Sequence, residues 1–227
     1  MPIDPKTLTF LRKLKRNNDR AWFKSHASDW EAARSDFLAL IADLKPGIEK
    51  ISDMMFVDEA KSGGSMLRIH RDVRFSKDKS PYKTNLAAVF AHLGVEGKMD
   101  APCMYLQVMP GGKSFVAAGL YGPDSAQLKR IRAAIADDPA AWRKATSGKA
   151  FRERLTLVDG SLKRPPKGFD PDHPAIEELK RKRFAAASVE FTDADVCDPA
   201  FTRTVLAHYR AAAPLLRFIC DALKLPF

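Results

Sequence analysis

The fold is decided by the stretch Cys103-Met-Tyr-Leu-Gln-Val-Met-Pro-Gly-Gly-Lys-Ser-Phe-Val-Ala-Ala-Gly-Leu-Tyr121. Its first half alternates Met104, Leu106 and Val108 with Tyr105 and Gln107, which is the period of a β-strand with one buried face. The proline and two glycines that follow predict a short hairpin connection. The second half is therefore predicted to return beside the first as an antiparallel strand.

Two further strands are predicted upstream of this hairpin. Residues 86–93 are apolar on both alternating faces, which indicates a buried strand. From Leu67 to Phe75 apolar and polar residues alternate, and Arg71 interrupts the alternation in the way that a β-bulge does. Together these segments predict an antiparallel meander from about residue 66 to 121.

Helix signals lie on both sides of the predicted sheet. Asp4-Pro5, Asp124-Ser125 and Asp138-Pro139 each combine an N-cap residue with a good first-turn residue, and Lys45-Pro46-Gly47 is predicted to end a helix. We therefore predict an α+β fold in which a central antiparallel meander sheet is flanked by N-terminal and C-terminal helices. The expected organisation is one domain over residues 1–227, with a helical part (1–50), a sheet part (51–121) and a mainly helical part (122–227).

Composition limits the class of protein. The chain has 227 residues, 45% of them hydrophobic, and a formal net charge of +10, which favours anionic partners such as nucleic acid or phosphorylated ligands. Its three cysteines are widely spaced, which indicates neither a disulfide framework nor a metal ribbon. The sequence shows no cleavable signal pattern and no apolar run of membrane-spanning length. We expect a cytoplasmic protein with no membrane partner, no cofactor and no metal.

The strongest functional signal is the basic segment Arg68-Ile-His-Arg-Asp-Val-Arg-Phe-Ser-Lys-Asp-Lys-Ser-Pro-Tyr-Lys83. On the predicted strand, Arg68, His70 and Arg74 would form a polar row over an apolar face. The predicted anion-binding residues are Arg68, Arg71, Arg74, Lys77, Lys79 and Lys83. Tyr82, Tyr105 and Gln107 are possible lining residues if the polar faces of the strands coincide.

Three functional classes follow from this segment. The leading one is a site for a phosphorylated or carboxylated small molecule, because arginine suits bidentate contact with such anions. The second is a nucleic-acid-binding module in which Tyr82 stacks on a base and basic runs elsewhere, at 163–164 and 180–183, follow the phosphates. The third is a protein interaction module, in which Asp72 and Asp78 tie the cations into a structural ion-pair network.

Recognisable catalytic signatures are missing from the sequence. There is no nucleophile elbow, phosphate loop, dinucleotide fingerprint or paired-histidine zinc helix. His70 and Asp72 are the candidates for a general acid or base, should the protein be an enzyme. Downstream, Asp170-Pro-Asp-His173 could bind a divalent cation, but the favoured interpretation is that Asp172 or His173 caps a helix begun by Pro174.

The basic segment, together with Pro-Gly-Gly-Lys-Ser-Phe-Val at 110–116 and Leu-Lys-Arg-Pro-Pro-Lys-Gly-Phe-Asp-Pro-Asp-His-Pro at 162–174, resembles the domain-of-unknown-function family 2461. The resemblance extends over most of the chain and includes Phe-Leu-Arg-Lys-Leu-Lys-Arg-Asn-Asn at 10–18. It implies a single-domain family member whose strongest motifs are basic. It implies no reaction, cofactor or role for any particular residue.

Overall fold

The computed structural model describes residues 1–97 and 100–227. The helices in these residues are α1 (Pro5–Arg16), α2 (Arg20–Ser25), α3 (Ala27–Glu49), α4 (Ser125–Asp137), α5 (Pro139–Ser147), α6 (Lys149–Arg154), α7 (Ile176–Leu179), α8 (Asp193–Val196) and α9 (Phe201–Leu223). The strands are β1 (Leu86–Ala91), β2 (Cys103–Val108), β3 (Phe115–Leu120), β4 (Thr156–Leu157) and β5 (Phe184–Ala187). Among the described helices, none is both long and apolar enough to cross a membrane.

The strands of the described residues form one antiparallel sheet in the order β1-β2-β3-β5-β4. Strands β1, β2 and β3 form the predicted meander from residue 86 onward, and the α+β fold is confirmed. In the register of the central hairpin, Leu106 lies opposite Val116. Strands β4 and β5 come from beyond residue 121, so the sheet is wider than the sequence predicted.

Aspartate side chains cap α1, α4 and α5, as predicted, and Asp19 also caps α2. The Asp4 carboxylate accepts from the Lys6 backbone N–H at 2.8 Å, and the Asp138 carboxylate accepts from that of Ala141 at 2.9 Å. Asp124 forms a reciprocal capping box with Gln127 at the start of α4. Each cap satisfies backbone donors that the first turn of a helix leaves without an intrahelical partner.

The predicted end of the helix at Lys45-Pro46-Gly47 is wrong, because α3 continues through Pro46 to Glu49. Leu44 and Ile48, on either side of the proline, are completely buried. Their packing stabilises the last turn more than the missing proline N–H destabilises it. Gly47 allows α9 to approach this turn closely, since a Cβ there would lie 2.4 Å from Leu206 Cδ1.

The two faces of the sheet differ in burial. Helix α9 packs against β3, and the Tyr209 hydroxyl donates to the backbone oxygen of Tyr105 at 3.0 Å. We call the side under α9 the covered face; its side chains include the completely buried Leu106, Val116 and Phe184. The alternate residues of β2 are only half-buried, and we call their side the open face. This alternation positions both sites described below.

Candidate anion-binding site

The basic segment folds as an irregular hairpin, which we call the basic arm (residues 68–83). The predicted strand from Leu67 to Phe75 is wrong: the arm contains one isolated bridge, between His70 and Tyr82, and turns back at residues 74–75. Two further backbone bonds hold its base, from Arg71 N to Pro81 O at 2.9 Å and from Lys83 N to Ile69 O at 2.8 Å.

Aspartate side chains explain why the arm is irregular. The Asp72 carboxylate accepts from the backbone N–H of Arg74 at 3.2 Å, and Asp78 accepts from that of Ser80 at 2.9 Å. Such local bonds offer the backbone an alternative to a strand ladder and favour turns. The predicted row of Arg68, His70 and Arg74 on one strand therefore does not form.

Tyr82 anchors the arm to the helical part of the protein. Its ring is 6% exposed and stacks on Phe23 with centroids 4.0 Å apart. The Asn18 side chain donates to the Tyr82 backbone oxygen at 2.9 Å and accepts from its N–H at 3.0 Å. Because the ring is buried in this way, Tyr82 is unable to stack on a nucleic-acid base.

Arg71 is held at the base of the arm by an ion pair with Asp78. Its guanidinium also donates to the Ser80 backbone oxygen at 3.2 Å. Hydrogen bonds from the backbone and side chain of Ser80, followed by that from Arg71, lower the pKa of Asp78 to about 2. Arg71 therefore stabilises the base of the arm, and the Asp78 carboxylate neutralises part of its charge.

Arg74 and its neighbours lie at the tip of the arm. The Arg74 guanidinium binds Asp72 through two bonds, Nε to Oδ1 at 3.0 Å and Nη2 to Oδ2 at 2.7 Å. The next residue, Phe75, is 96% exposed, and the Arg74 guanidinium carbon lies 5.9 Å from its ring centroid. Lys77 is exposed here as well, while Lys79 donates to the Val73 backbone oxygen at 3.0 Å.

A polar groove of about 520 Å³ runs between the end of α1 and the base of the arm. The residues that line it are Lys15, Asn18, Arg71, Asp78, Ser80, Tyr82, Lys83, Thr84 and Asn85. Hydroxyl, amide and cationic groups predominate on its walls, and these are the donors that phosphate and carboxylate oxygens require. We call this the basic groove.

Lys83 lines the groove, and Arg68 is near enough for its charge to act on both Lys83 and the Asp72 carboxylate. Lys83 is half-buried, and within the described residues neither Lys83 nor Arg68 forms an ion pair. Burial, followed by the positive charge of Arg68, lowers the pKa of Lys83. Each charge thus raises the electrostatic energy of the other, and an anion between or beside them would relieve this repulsion.

The predicted lining residues Tyr105 and Gln107 lie on the open face of the sheet. The Tyr105 hydroxyl donates to Gln107 Oε1 at 3.2 Å, and Asn85 Nδ2 donates to the same oxygen at 3.2 Å. Asn85 in turn lines the basic groove. Gln107 therefore adjoins the groove through Asn85, whereas Tyr105 is one residue further away.

The candidates for acid or base catalysis have different surroundings. His70 is exposed, with its ring 5.2 Å from that of Tyr82. Hydrogen bonds from the Arg74 side chain and backbone lower the pKa of Asp72, which makes this carboxylate a weak base near neutral pH. In the described residues, no group of three or more His, Cys, Asp or Glu side chains is placed to hold a metal ion.

The segment at 170–173 forms hydrogen bonds within a turn instead of the predicted helix cap. His173 Nδ1 accepts from the Ala175 N–H at 3.0 Å, and the Asp170 carboxylate accepts from the Asp172 N–H at 2.9 Å. Helix α7 begins only at Ile176 and has no side-chain cap. The cap by Asp172 or His173 is therefore wrong, because the turn at 170–175 separates both residues from the helix.

The family profile described as "Conserved hypothetical protein (DUF2461)" matches residues 6–218. The chain belongs to the DUF2461 family. The resemblance indicated by the three sequence motifs is thereby confirmed, and the DUF2461 match includes the basic arm and every residue that lines the groove. No curated protein and no solved structure matches the chain.

Five groove residues of this DUF2461 chain were missed by the sequence prediction. They are Lys15, Asn18, Ser80, Thr84 and Asn85. Lys15 lies in the last turn of α1 and Asn18 just after that helix, about fifty positions before the arm, and only the tertiary fold brings them to it. Ser80 could have been found from the Asp78-Lys-Ser80 spacing, which is typical of an aspartate-capped turn.

Proposed function

We propose that the basic groove binds the phosphate or carboxylate group of a small molecule. The observation that carries this proposal is Lys83, which lines the groove, is half-buried and forms no ion pair among the described residues, while the positive charge of Arg68 acts on it. A bound anion would interact favourably with both charges and remove their mutual repulsion. The net charge of +10 would also draw anions toward the protein.

The roles of the cations in this proposal differ from those expected from the sequence. Lys83 and Lys15, which both line the groove, would contact the anion, and Arg68 would add a positive charge beside Lys83. Arg71 lines the groove but is shared with Asp78, and Arg74 is bound to Asp72 at the tip. The structural ion-pair interpretation thus applies to these two arginines, while the anion interpretation applies to the base of the arm.

Neutral donors would complete the coordination of the anion. Ser80 and Thr84 offer hydroxyl groups, and Asn18 and Asn85 offer amides, on the same groove. Hydrogen bonds to an ionised acceptor are shorter and about twice as strong as those between neutral groups.

We include the cytoplasmic location in this proposal, since the three cysteines of the chain are unpaired thiols.

A thermal-shift titration with inorganic phosphate tests the proposal. A ligand that binds only the native state raises the melting temperature as its concentration rises. We expect this rise for the wild-type protein and for Lys77→Gln, which removes one positive charge at the tip of the arm. The double variant Arg68→Gln/Lys83→Gln should lose the rise beyond the general salt effect. An equal rise in the double variant would contradict the proposal.

The pH dependence of phosphate binding provides a second check on Lys83. Because the pKa of Lys83 is lowered, its charge is lost at a lower pH than that of an ordinary lysine. Phosphate binding should therefore weaken as pH rises toward the alkaline range. This weakening should begin at a lower pH than it would if Lys83 had the pKa of an ordinary lysine. Lys83→Arg should keep binding at high pH, because arginine stays protonated there.

Nucleic-acid binding is the second candidate, and the tip of the arm favours it. Phe75 is 96% exposed and Arg74 and Lys77 lie beside it, which suits stacking on an unpaired base with phosphate contacts nearby. In this candidate function the stacking residue would be Phe75 and not Tyr82, since Tyr82 is buried.

Fluorescence anisotropy with a labelled single-stranded oligonucleotide tests this second candidate. Phe75→Ala should weaken binding by about 5- to 150-fold, as expected for the loss of one base–aromatic stack. Phe75→Tyr should retain binding. Equal affinities for the wild-type protein and Phe75→Ala would remove nucleic acid as a candidate, and would leave the proposal for the basic groove unaffected.

A further inference from the structure

A trough of about 330 Å³ crosses the open face of the sheet and shares no lining residue with the basic groove. Its floor is made of very small residues on neighbouring strands: Ala117 lies opposite Ala187, and Gly119 lies opposite Ala185. Between Phe115 and Tyr121, the larger side chains of these strands, Val116, Leu120 and Phe184, point to the covered face instead. The trough therefore exists because the inward and outward residues of β3 and β5 differ in size.

Aromatic rings stand at both ends of this floor. Phe115 and Tyr121 are the first and last lining residues along β3, and the Tyr105 ring lies 5.6 Å from that of Phe115. Leu67 and Val89 form one long side, and Val158 lies on the other. The volume is at the lower end of the range for small-molecule pockets, about 300–1,000 Å³.

The chemistry of the trough is unusual for this position. The exposed side of an antiparallel sheet normally carries polar residues, whereas the lining here is aliphatic and aromatic. Gly119 has a φ of +125° and brings β5 very close, since a Cβ there would lie 2.3 Å from the Phe184 backbone oxygen. No side chain can fill the trough at this position without displacing β5.

Arg183 supplies a positive charge at one end. The pairing of Leu120 with Phe184 places Arg183 next to Tyr121 on the open face, and its guanidinium carbon lies 4.4 Å from the Tyr121 ring centroid. One N–H donates to the Asp159 backbone oxygen at 3.1 Å. Arg183 forms no ion pair within residues 1–97 and 100–227, so most of its five donors remain for another partner.

We propose that the trough binds a small molecule with a flat apolar body and one carboxylate, which contacts Arg183. The alanine and glycine floor gives a planar body room to lie against the sheet, between Phe115 and Tyr121. Arginine binds a carboxylate through two parallel N–H bonds when its donors are free. This site shares no lining residue with the basic groove, so it does not depend on the function proposed there.

A small molecule fits the trough better than a second copy of the chain. Two copies meeting at this face would bring the two Arg183 charges together, and each copy already carries a net charge of +10. The trough is also small, about 330 Å³, which suits a compact body more than an extended protein surface.

Isothermal titration calorimetry with 2-naphthoate and its neutral analogue 2-naphthamide tests the proposal. The wild-type protein should bind both compounds, and naphthoate more tightly. Arg183→Gln should weaken naphthoate binding about tenfold or more and leave naphthamide unchanged, as expected for one charge-assisted bond. Lys182→Gln, which removes the same charge from the neighbouring exposed residue, should change neither affinity.

A second variant tests the location. Ala187→Phe fills the floor and should abolish binding of both compounds; Ala117→Leu serves the same purpose if the phenylalanine variant does not fold. Binding that survives both substitutions, or naphthoate affinity that is unchanged in Arg183→Gln, would overturn the proposal. Failure of the wild-type protein to bind either compound would also overturn it. In that case, a concentration-dependent dimer that Ala187→Phe dissociates would assign the trough to a second copy of the chain.

Discussion

The covered and open faces of the sheet are built from alternate residues of the same strands, yet their side chains differ in size and burial. On the covered face, Leu106, Leu120 and Phe184 are completely buried beneath α9. On the open face, Ala117, Gly119 and Ala187 leave a trough instead of filling the space. The comparison teaches that side-chain size, alternating with the strand period, separates a stabilising surface from a surface available for binding.

The largest effect should come from the covered face of β5. Phe184 is completely buried and packs edge-on against Trp142 with centroids 5.8 Å apart. Phe184→Ala should lower the free energy of unfolding by about 3–5 kcal/mol, because it removes a buried ring and leaves a cavity. The preceding residue provides the matched control: Arg183→Gln on the open face should lower it by less than about 1 kcal/mol. Urea denaturation measures both.

A smaller effect is expected for the hydroxyl that joins α9 to β2. Tyr209→Phe keeps the ring and removes the bond to the Tyr105 backbone oxygen. The free energy of unfolding should fall by about 1 kcal/mol, the typical contribution of one hydrogen bond. A loss several times larger would indicate that the ring itself has moved.

The loss of stability at alkaline pH should depend more on Tyr209, in α9, than on Tyr105, on the open face. Burial raises the pKa of Tyr209 well above its usual value, and burial also raises that of Tyr105. Below about pH 10 both states of the protein hold these protons; above it the unfolded chain ionises first, so stability falls as pH rises. In unfolding curves recorded across this range, Tyr209→Phe should remove more of the fall than Tyr105→Phe.

The smallest perturbation is chemical labelling of two cysteines. Burial raises the pKa of both Cys103, which lines the trough, and Cys220, which lies on the buried side of α9, to about 12. At pH 8 we expect slow alkylation of Cys103 by iodoacetamide, slower still with naphthoate bound, and alkylation of Cys220 only after unfolding. Peptide mass spectrometry quantifies each site, and equal rates in the native protein would contradict the difference in burial.

Local signals made much of the fold predictable. The alternation of Met104, Leu106 and Val108 and the Pro-Gly-Gly turn after it specify β2, β3 and their pairing. Aspartate caps specified the starts of α1, α4 and α5. These features depend on a few neighbouring residues, so they can be predicted from the sequence alone.

Other features depend on contacts distant in sequence and were missed. Phe184–Ala187 is short and alanine-rich, a composition that favours helix, and it becomes a strand only by pairing with β3 more than sixty residues earlier. The alternation from Leu67 to Phe75 was overridden by the turns at Asp72 and Asp78.

The candidate sites were predictable only in part. The concentration of cations at 68–83 indicated the region of the basic groove, but it did not indicate which arginines would pair with Asp72 and Asp78. The trough gave no signal, because Ala117, Gly119 and Ala185 are common in many contexts and only the sheet register brings them together.

One pair of adjacent substitutions tests the contrast between the faces most directly. Ala186 is completely buried on the covered face, and Ala187 lines the trough on the open face. Ala186→Leu should lower the free energy of unfolding by about 1–3 kcal/mol, because it overpacks the core, while Ala187→Leu should change it by no more than about 0.5 kcal/mol. Equal losses for the two variants, or a larger loss for Ala187→Leu, would contradict the account.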